Sequence, residues 1–426
     1  MQSAEELAQR VVKRFARFTA GALQDAQLDD AGRSLREWEQ VRGRYPVIET
    51  RFGGPDGLLL YGDRQAELSA LARELSDCTE RAISAEALEK DLRGVVWSAV
   101  EQGTCDVESL QAELKTEFAQ RLAEISDTSV VIPVEGLWLG PWNKEKGAAV
   151  GPDLCIGEVT FKAGGFKELQ LSSDRLFGEE DEFSRVSALA HTDIRVSDPG
   201  AAWEQGEFRV RLALDILRTA LYRYKGAWGG ALGLMSHSTV VYRHILQRAV
   251  GTDEPLRDFS SGHRELPLRV EAGHRKVLEQ SGLADLPEMF SFASNEVMER
   301  LRRSMTWFSD ATLEEDMPQS FLKQAVALEI LLQGTEGAPI AESLAERVAF
   351  LLEQDTAGRI AFRDRVKKLY RYRNMIAHGS AARPALKDFR DFEDVVANSI
   401  SRYAKRFRHL DRWRDVVADF DQRKFS

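Results

Sequence analysis

The run Leu369-Tyr370-Arg371-Tyr372-Arg373-Asn374-Met375-Ile376-Ala377-His378-Gly379-Ser380 closes a long helical pattern near the C-terminus. On a helical period Val366, Leu369, Tyr370 and Arg373 share one face, which Ile376 and Ala377 continue. An arginine therefore stands where a core residue is expected. A guanidinium on an apolar stripe is costly unless it is paired or lines a cavity. His378 follows in the last turn, and Gly379 is placed as the C-terminal cap.

Outward from this stretch, residues 286–426 read as helices. Ser294 is placed to cap a helix carrying Val297, Leu301, Met305 and Phe308. Pro318 opens the next, with Phe321, Leu322, Ala325, Leu328 and Leu332. After a break at 334–339 come Leu344, Val348, Leu351 and Leu352, and after Thr356-Ala357-Gly358 the focal helix. Beyond Arg383-Pro384, a last long helix shows Phe389, Phe392, Val396, Ile400, Tyr403, Phe407 and Leu410. Short breaks and one apolar stripe per helix predict a compact all-α bundle.

Residues 127–285 have another character. Ser129–Val134, Gly136–Leu139, Glu158–Lys162, Leu169–Ser172 and Arg185–Val196 are strand-like, with turn-rich spacers. Ser197-Asp198-Pro199 signals a helix start, and Val210, Leu214, Leu217 and Leu221 carry that helix to about Tyr224. Thr239–Tyr242 is a further candidate strand in an irregular stretch containing Gly226, Gly229, Gly230 and Gly233. Residues 1–126 read as mostly helical, from a first face of Leu7, Val11, Val12, Phe15 and Phe18, past a loop at 51–57, to Leu68, Leu71, Leu75 and beyond. The predicted class is α+β overall: a mixed α/β N-terminal region, divided at about 126, followed from 286 by an all-α helical bundle.

Composition narrows the function. The 426 residues are 43% hydrophobic and 30% charged, ordinary for a water-soluble protein of two or three domains. No apolar run approaches the roughly 18 residues that cross a bilayer, and the N-terminus is acidic where a signal peptide is basic. Cys78, Cys105 and Cys155 form neither a zinc spacing nor a disulfide framework. A cytoplasmic protein with no membrane partner is expected. The net charge of −10 hides a division: residues 359–426 carry 18 Lys/Arg against 9 Asp/Glu, on an otherwise acidic chain. A basic C-terminal segment favours an anionic partner. The glycine-rich loop at 51–57 is not followed by Gly-Lys-Ser/Thr, and no His-Glu-x-x-His or Gly-x-Ser-x-Gly occurs. His191, His237, His244, His263 and His274 are scattered without a metal-ligand pattern, so neither a metal nor another cofactor is expected.

Arg373-Asn374-Met375-Ile376-Ala377-His378 resembles the Arg-polar-x-x-x-His motif of HEPN domains. With Ala327-Leu328-Glu329-Ile330-Leu331-Leu332 upstream and Arg347 between, residues 290–420 look like the Apea-like branch of that superfamily. The resemblance implies a HEPN-like helical bundle that forms a homodimer and brings two such motifs into one cleft. It implies metal-independent cleavage of RNA, in antiphage defence or a toxin-like system, with the N-terminal region as sensor of a phage or antitoxin trigger. It assigns Arg373 to the phosphate, His378 to proton transfer and Asn374 to orienting the pair. Glu329 is auxiliary, with Lys367, Tyr370 and Arg371 as RNA contacts.

The chemistry is consistent with that assignment. Attack by the RNA's own 2′-OH needs a base, an acid and a stabiliser of phosphorane charge. Histidine serves either proton-transfer role near neutrality, and an arginine fork binds two phosphate oxygens. Three alternatives stand beside it. Arg373 pairs with an acid such as Glu329 and His378 merely ends a helix; or the bundle is a non-catalytic module that binds RNA, a nucleotide or a protein; or the chemistry lies in the N-terminal region.

Overall fold

A computed structural model describes residues 63–102, 107–143, 148–149, 151–164, 186–224, 232–234, 268–292, 294–334, 340–379 and 382–424, with residue 14 and strands at 48–50, 58–60, 243–247 and 257–261. The described chain forms two compact units, Met1–Val130 with Asp193–Glu207 and Val131–Thr192 with Phe208–Ser426.

In the first unit β1 (Ile48–Thr50) pairs antiparallel with β2 (Leu58–Leu60). Among the described residues three helices follow: α1 (Asp63–Cys78), α2 (Ala85–Gln102) and α3 (Val107–Ala123). Leu68, Leu71 and Leu75 of α1 and Leu88, Leu92, Val95 and Val96 of α2 are buried, as their spacing requires. Asp198 closes the unit. Its carboxylate accepts the Ser84 N–H at 3.0 Å, the Ala201 N–H at 3.0 Å and the Ser197 hydroxyl at 3.1 Å. It thus serves the start of α2 as well as that of its own helix. Burial opposes this charge, but the hydrogen bonds outweigh it and hold the carboxyl below its usual range.

In the second unit the sheet order is β10-β3-β9-β8-β7, where β3 is Ser126–Glu135, β7 Leu154–Ile156, β8 Val159–Ala163, β9 Val186–Val196 and β10 Gly233–Leu234. The chain passes between the units within β3, within β9 and within α4 (Pro199–Ala220). β4 (Leu137–Leu139) pairs in parallel with β13 (Leu268–Val270), joining segments far apart in sequence. Short antiparallel pairs add β5 (Trp142–Asn143) with β6 (Ala148–Ala149), and β11 (Arg243–Gln247) with β12 (Arg257–Ser261). Val210, Leu214, Leu217 and Leu221 lie in one core with Leu154, Ile156 and Phe161 of the sheet.

Among the described residues the remaining α-helices are α5 (Ala272–Ser281), α6 (Glu296–Leu313), α7 (Met317–Leu332), α8 (Ile340–Leu352), α9 (Thr356–Ala377), α10 (Leu386–Phe407) and α11 (Trp413–Lys424). From α6 onward they form an all-α bundle, and the chain is α+β overall. Its centre is α10, which packs on α6, α7 and α8. Phe321 stacks on Phe392 at 4.4 Å, and Phe407 meets Phe420 edge-on at 5.5 Å. Each such ring contributes about 1.5–3 kcal/mol by leaving water.

Several boundaries differ from the sequence reading. The cap of α6 is Asn295, whose side-chain oxygen accepts the Met298 N–H at 2.8 Å, rather than Ser294. Thr356-Ala357-Gly358 is the first turn of α9 rather than a break, because Asp355 accepts the Gly358 N–H at 2.8 Å. The last expected helix stops at Phe407 and a separate α11 follows. Glu296 of α6 accepts the Trp413 N–H at 2.8 Å, a start signal more than 100 residues away in the chain. The helix expected to reach Tyr224 ends at Ala220, with a 3-10 turn over Tyr222–Tyr224. His274 serves the fold, since its Nδ1 accepts the Glu271 N–H at 3.2 Å at the start of α5.

The expected face Leu7–Phe18, the loop 51–57, the strands Leu169–Ser172 and Thr239–Tyr242, the break at 335–339, Gly226, Gly229, Gly230, Cys105, His237 and His263 lie outside the described residues. Among the described residues no helix is long and apolar enough to cross a membrane.

Candidate active site at the end of α9

Val366, Leu369 and Tyr370 are the buried residues of α9, and they seat it against α7, α8 and α10. At the far end the His378 N–H donates to the Asn374 carbonyl at 3.1 Å and the Gly379 N–H to the Ile376 carbonyl at 3.0 Å. Gly379 has φ 76°, the left-handed conformation that a side chain resists, so the helix ends where a glycine was expected to end it.

Arg373 reaches from this helix to Glu329 on α7. Its Nε donates to Oε1 at 2.9 Å and its Nη2 to Oε2 at 3.3 Å, a two-point fork. The Tyr370 hydroxyl donates to the same Oε1, and the guanidinium lies 5.8 Å from the centre of the Tyr370 ring. The Arg373 and Glu329 side chains are only 26% and 15% exposed. Burial pulls the guanidinium down, yet Glu329 outweighs it and the charged form is favoured more than usual. Burial, then Glu329, pushes the Tyr370 hydroxyl up. The arginine on the core face is thus tied to an acid one helix away.

Asn374 and His378 are exposed. Among the described residues the imidazole makes no hydrogen bond or ion pair. At about 100° per residue, His378 lies roughly 140° around the axis from Arg373 and about 7.5 Å farther along it. Within one chain, then, Arg373 is held toward α7 while His378 caps the exposed end.

The expected RNA contacts separate. Arg371 is exposed, Lys367 pairs with Glu342, and Tyr370 is only 2% exposed. A Tyr370 ring in the core offers no face to a base; its hydroxyl holds Glu329 instead. Arg347 donates to the Leu332 carbonyl at 2.8 Å, satisfying the end of α7.

Comparisons with protein families, curated proteins and solved structures find no match. The site is therefore weighed on its own chemistry. Two of the five N–H donors of Arg373 are engaged by Glu329, which leaves Nη1 and one Nη2 proton to meet an anion.

The sequence reading missed a second polar cluster. Asp215 and Arg218 are both buried on α4, with Arg218 Nη1 donating to Asp215 Oδ1 at 3.4 Å. The spacing alone does not mark it: Arg211, Asp215 and Arg218 all fall among apolar residues between Val210 and Ala220, yet Arg211 is exposed while the other two are buried.

Proposed function

We propose that the chain is a metal-independent endoribonuclease of HEPN type. The reading rests on one observation: Glu329 orients Arg373 while leaving part of its guanidinium to meet a phosphate, on the same helix whose exposed end carries Asn374 and His378. In the proposed reaction a base takes the 2′-OH proton and O2′ bonds to phosphorus. The P–O5′ bond breaks and an acid protonates O5′, giving a 2′,3′-cyclic phosphate and a 5′-OH. His378 carries a proton, Arg373 bears phosphorane charge and Asn374 orients the pair. One chain offers one histidine facing away from its arginine, so a twofold homodimer through the bundle supplies the second set. RNA is the substrate and the cytoplasm the compartment. A phage or antitoxin trigger acts through the N-terminal region, in antiphage defence or a toxin-like system.

RNA cleavage in EDTA tests this. Wild type cuts, and His378→Ala loses about 10²–10⁴-fold in rate while retaining RNA binding. Cleavage that survives both His378→Ala and Arg373→Ala removes the assignment.

A second reading has its own support. Glu329 matches the Arg373 charge within the bundle, which suits a non-catalytic module that binds RNA, a nucleotide or a protein partner. RNA binding without cleavage by the wild type selects it.

A further inference from the structure

A cleft of about 410 Å³ opens between α4 and α6 within the second unit. That falls in the range of roughly 300–1,000 Å³ common for small-ligand sites. Three features of its lining are unexplained by the fold.

The first is the floor. Asp215 accepts the Thr306 hydroxyl at 3.0 Å and Arg218 Nη1 at 3.4 Å, and Arg218 Nη1 also reaches Ser309 at 3.1 Å. Arg218 Nη2 donates to the Leu232 carbonyl. Arg218 Nε is buried and has no hydrogen-bond partner among the described residues. Burial pushes Asp215 up and Arg218 down, each toward its neutral form, so the pair is held at a cost. An orphaned buried N–H is itself costly.

The second is the wall. Trp307 lines the cleft with 39% of its surface exposed, next to apolar Leu212 and Leu313. An indole left half in water is a stacking platform for a planar ring. The third is the rim. Arg303 is exposed and has no hydrogen bond or ion pair among the described residues, and Arg211 stands with it at the opening. Asp310, on the same rim, makes no hydrogen bond among the described residues and is pushed up by burial. It is available to accept from a ring N–H or amino group.

We infer that this cleft binds a small planar aromatic molecule bearing one anionic group and a ring donor. The ring stacks on Trp307, its donor meets Asp310, and the anion is held by Arg303 and Arg211. The inference stands independently of the ribonuclease reading, since none of these residues belongs to the α9 site. The anion can be a phosphate, as in a nucleotide, or a carboxylate, as in an aromatic acid.

Calorimetric titration of the full chain with AMP and with indole-3-acetate distinguishes these sources, with adenosine and inorganic phosphate as half-ligand controls. At least one probe binds with a dissociation constant below about 1 mM, and its half-ligands bind at least about tenfold more weakly. AMP alone names a phosphate ligand and indole-3-acetate alone a carboxylate. Trp307→Ala and Arg303→Ala each weaken binding about tenfold, at unchanged helix content and melting temperature, while Trp307→Phe stays within about threefold. Both substituted side chains are exposed, so folding is not at stake. Binding of neither probe, or binding indifferent to both alanine variants, overturns the proposal.

Discussion

Glu329→Gln is the perturbation that most directly tests the core of the α9 site. Glu329 accepts two hydrogen bonds from Arg373 and one from the Tyr370 hydroxyl. Glutamine keeps one carbonyl oxygen, which can remain under the Tyr370 hydroxyl and Arg373 Nε. Its amide then points N–H groups at Arg373 Nη2, donor against donor. One charge-assisted bond is lost, and the other two become bonds to a neutral acceptor. Charge-assisted bonds are worth about 1.5–3 kcal/mol and neutral ones about 0.5–1.5 kcal/mol. Arg373 is about a quarter exposed, so water recovers part of the loss. The expected cost is therefore about 2 kcal/mol in urea unfolding followed by far-UV circular dichroism. Glu329→Ala costs about 3–4 kcal/mol, because the buried Tyr370 hydroxyl loses its acceptor and a cavity opens. A cycle with Arg373→Ala isolates a coupling of about 1 kcal/mol or more. A Glu329→Gln protein within about 0.5 kcal/mol of wild type shows that Arg373 is not held by Glu329, and the orientation argument fails with it.

The other predictions concern pH and packing. Tyr370 is pushed above the usual tyrosine range by burial and then by Glu329, so below about pH 10 both folded and unfolded states keep its proton and its contribution is whole. Above that pH the unfolded state releases the proton first, and stability falls by up to about 1.4 kcal/mol per pH unit; Tyr370→Phe removes this part of the slope between pH 10 and 11. Asp198, held below its usual range, has the opposite sign: its stabilisation is present above about pH 4 and fades as acid protonates it. Asp198→Ala lowers stability by about 1–2 kcal/mol at pH 7, and less at pH 3, by the same unfolding assay. Gly157→Ala loses about 2 kcal/mol or more, read as a lowered urea midpoint. Gly157 has φ 52°, and an added Cβ would lie 2.1 Å from the Phe290 ring.

Much of the bundle was legible because its helices are amphipathic and α10 carries a single long stripe from Phe389 to Phe407, all of it buried. The focal helix was legible to its last residue, since Gly379 supplies a left-handed cap that sequence alone can name. The start of α11 was not, because its signal is a hydrogen bond from Trp413 to Glu296 rather than a nearby proline or glycine. The β4–β13 pair was hidden for a similar reason: its register depends on partners such as Leu137 and Leu268, which come together only when the chain folds. At the candidate site, periodicity put Tyr370 and Arg373 on one face, but could not say which residue would meet the aqueous surface.

The sequence by itself determined the α+β class, the helical C-terminal region, the end of α9 and the anomaly of an arginine on a core face. Local periodicity and capping chemistry suffice for those. Only the tertiary structure decided where that arginine goes. Glu329 lies on another helix, and the choice between an ion pair and a free guanidinium depends on distance and desolvation, which no spacing encodes. The same holds for Asp215 and Arg218: their burial is set by the helix that covers them, and the cleft beside them exists only between two folded helices.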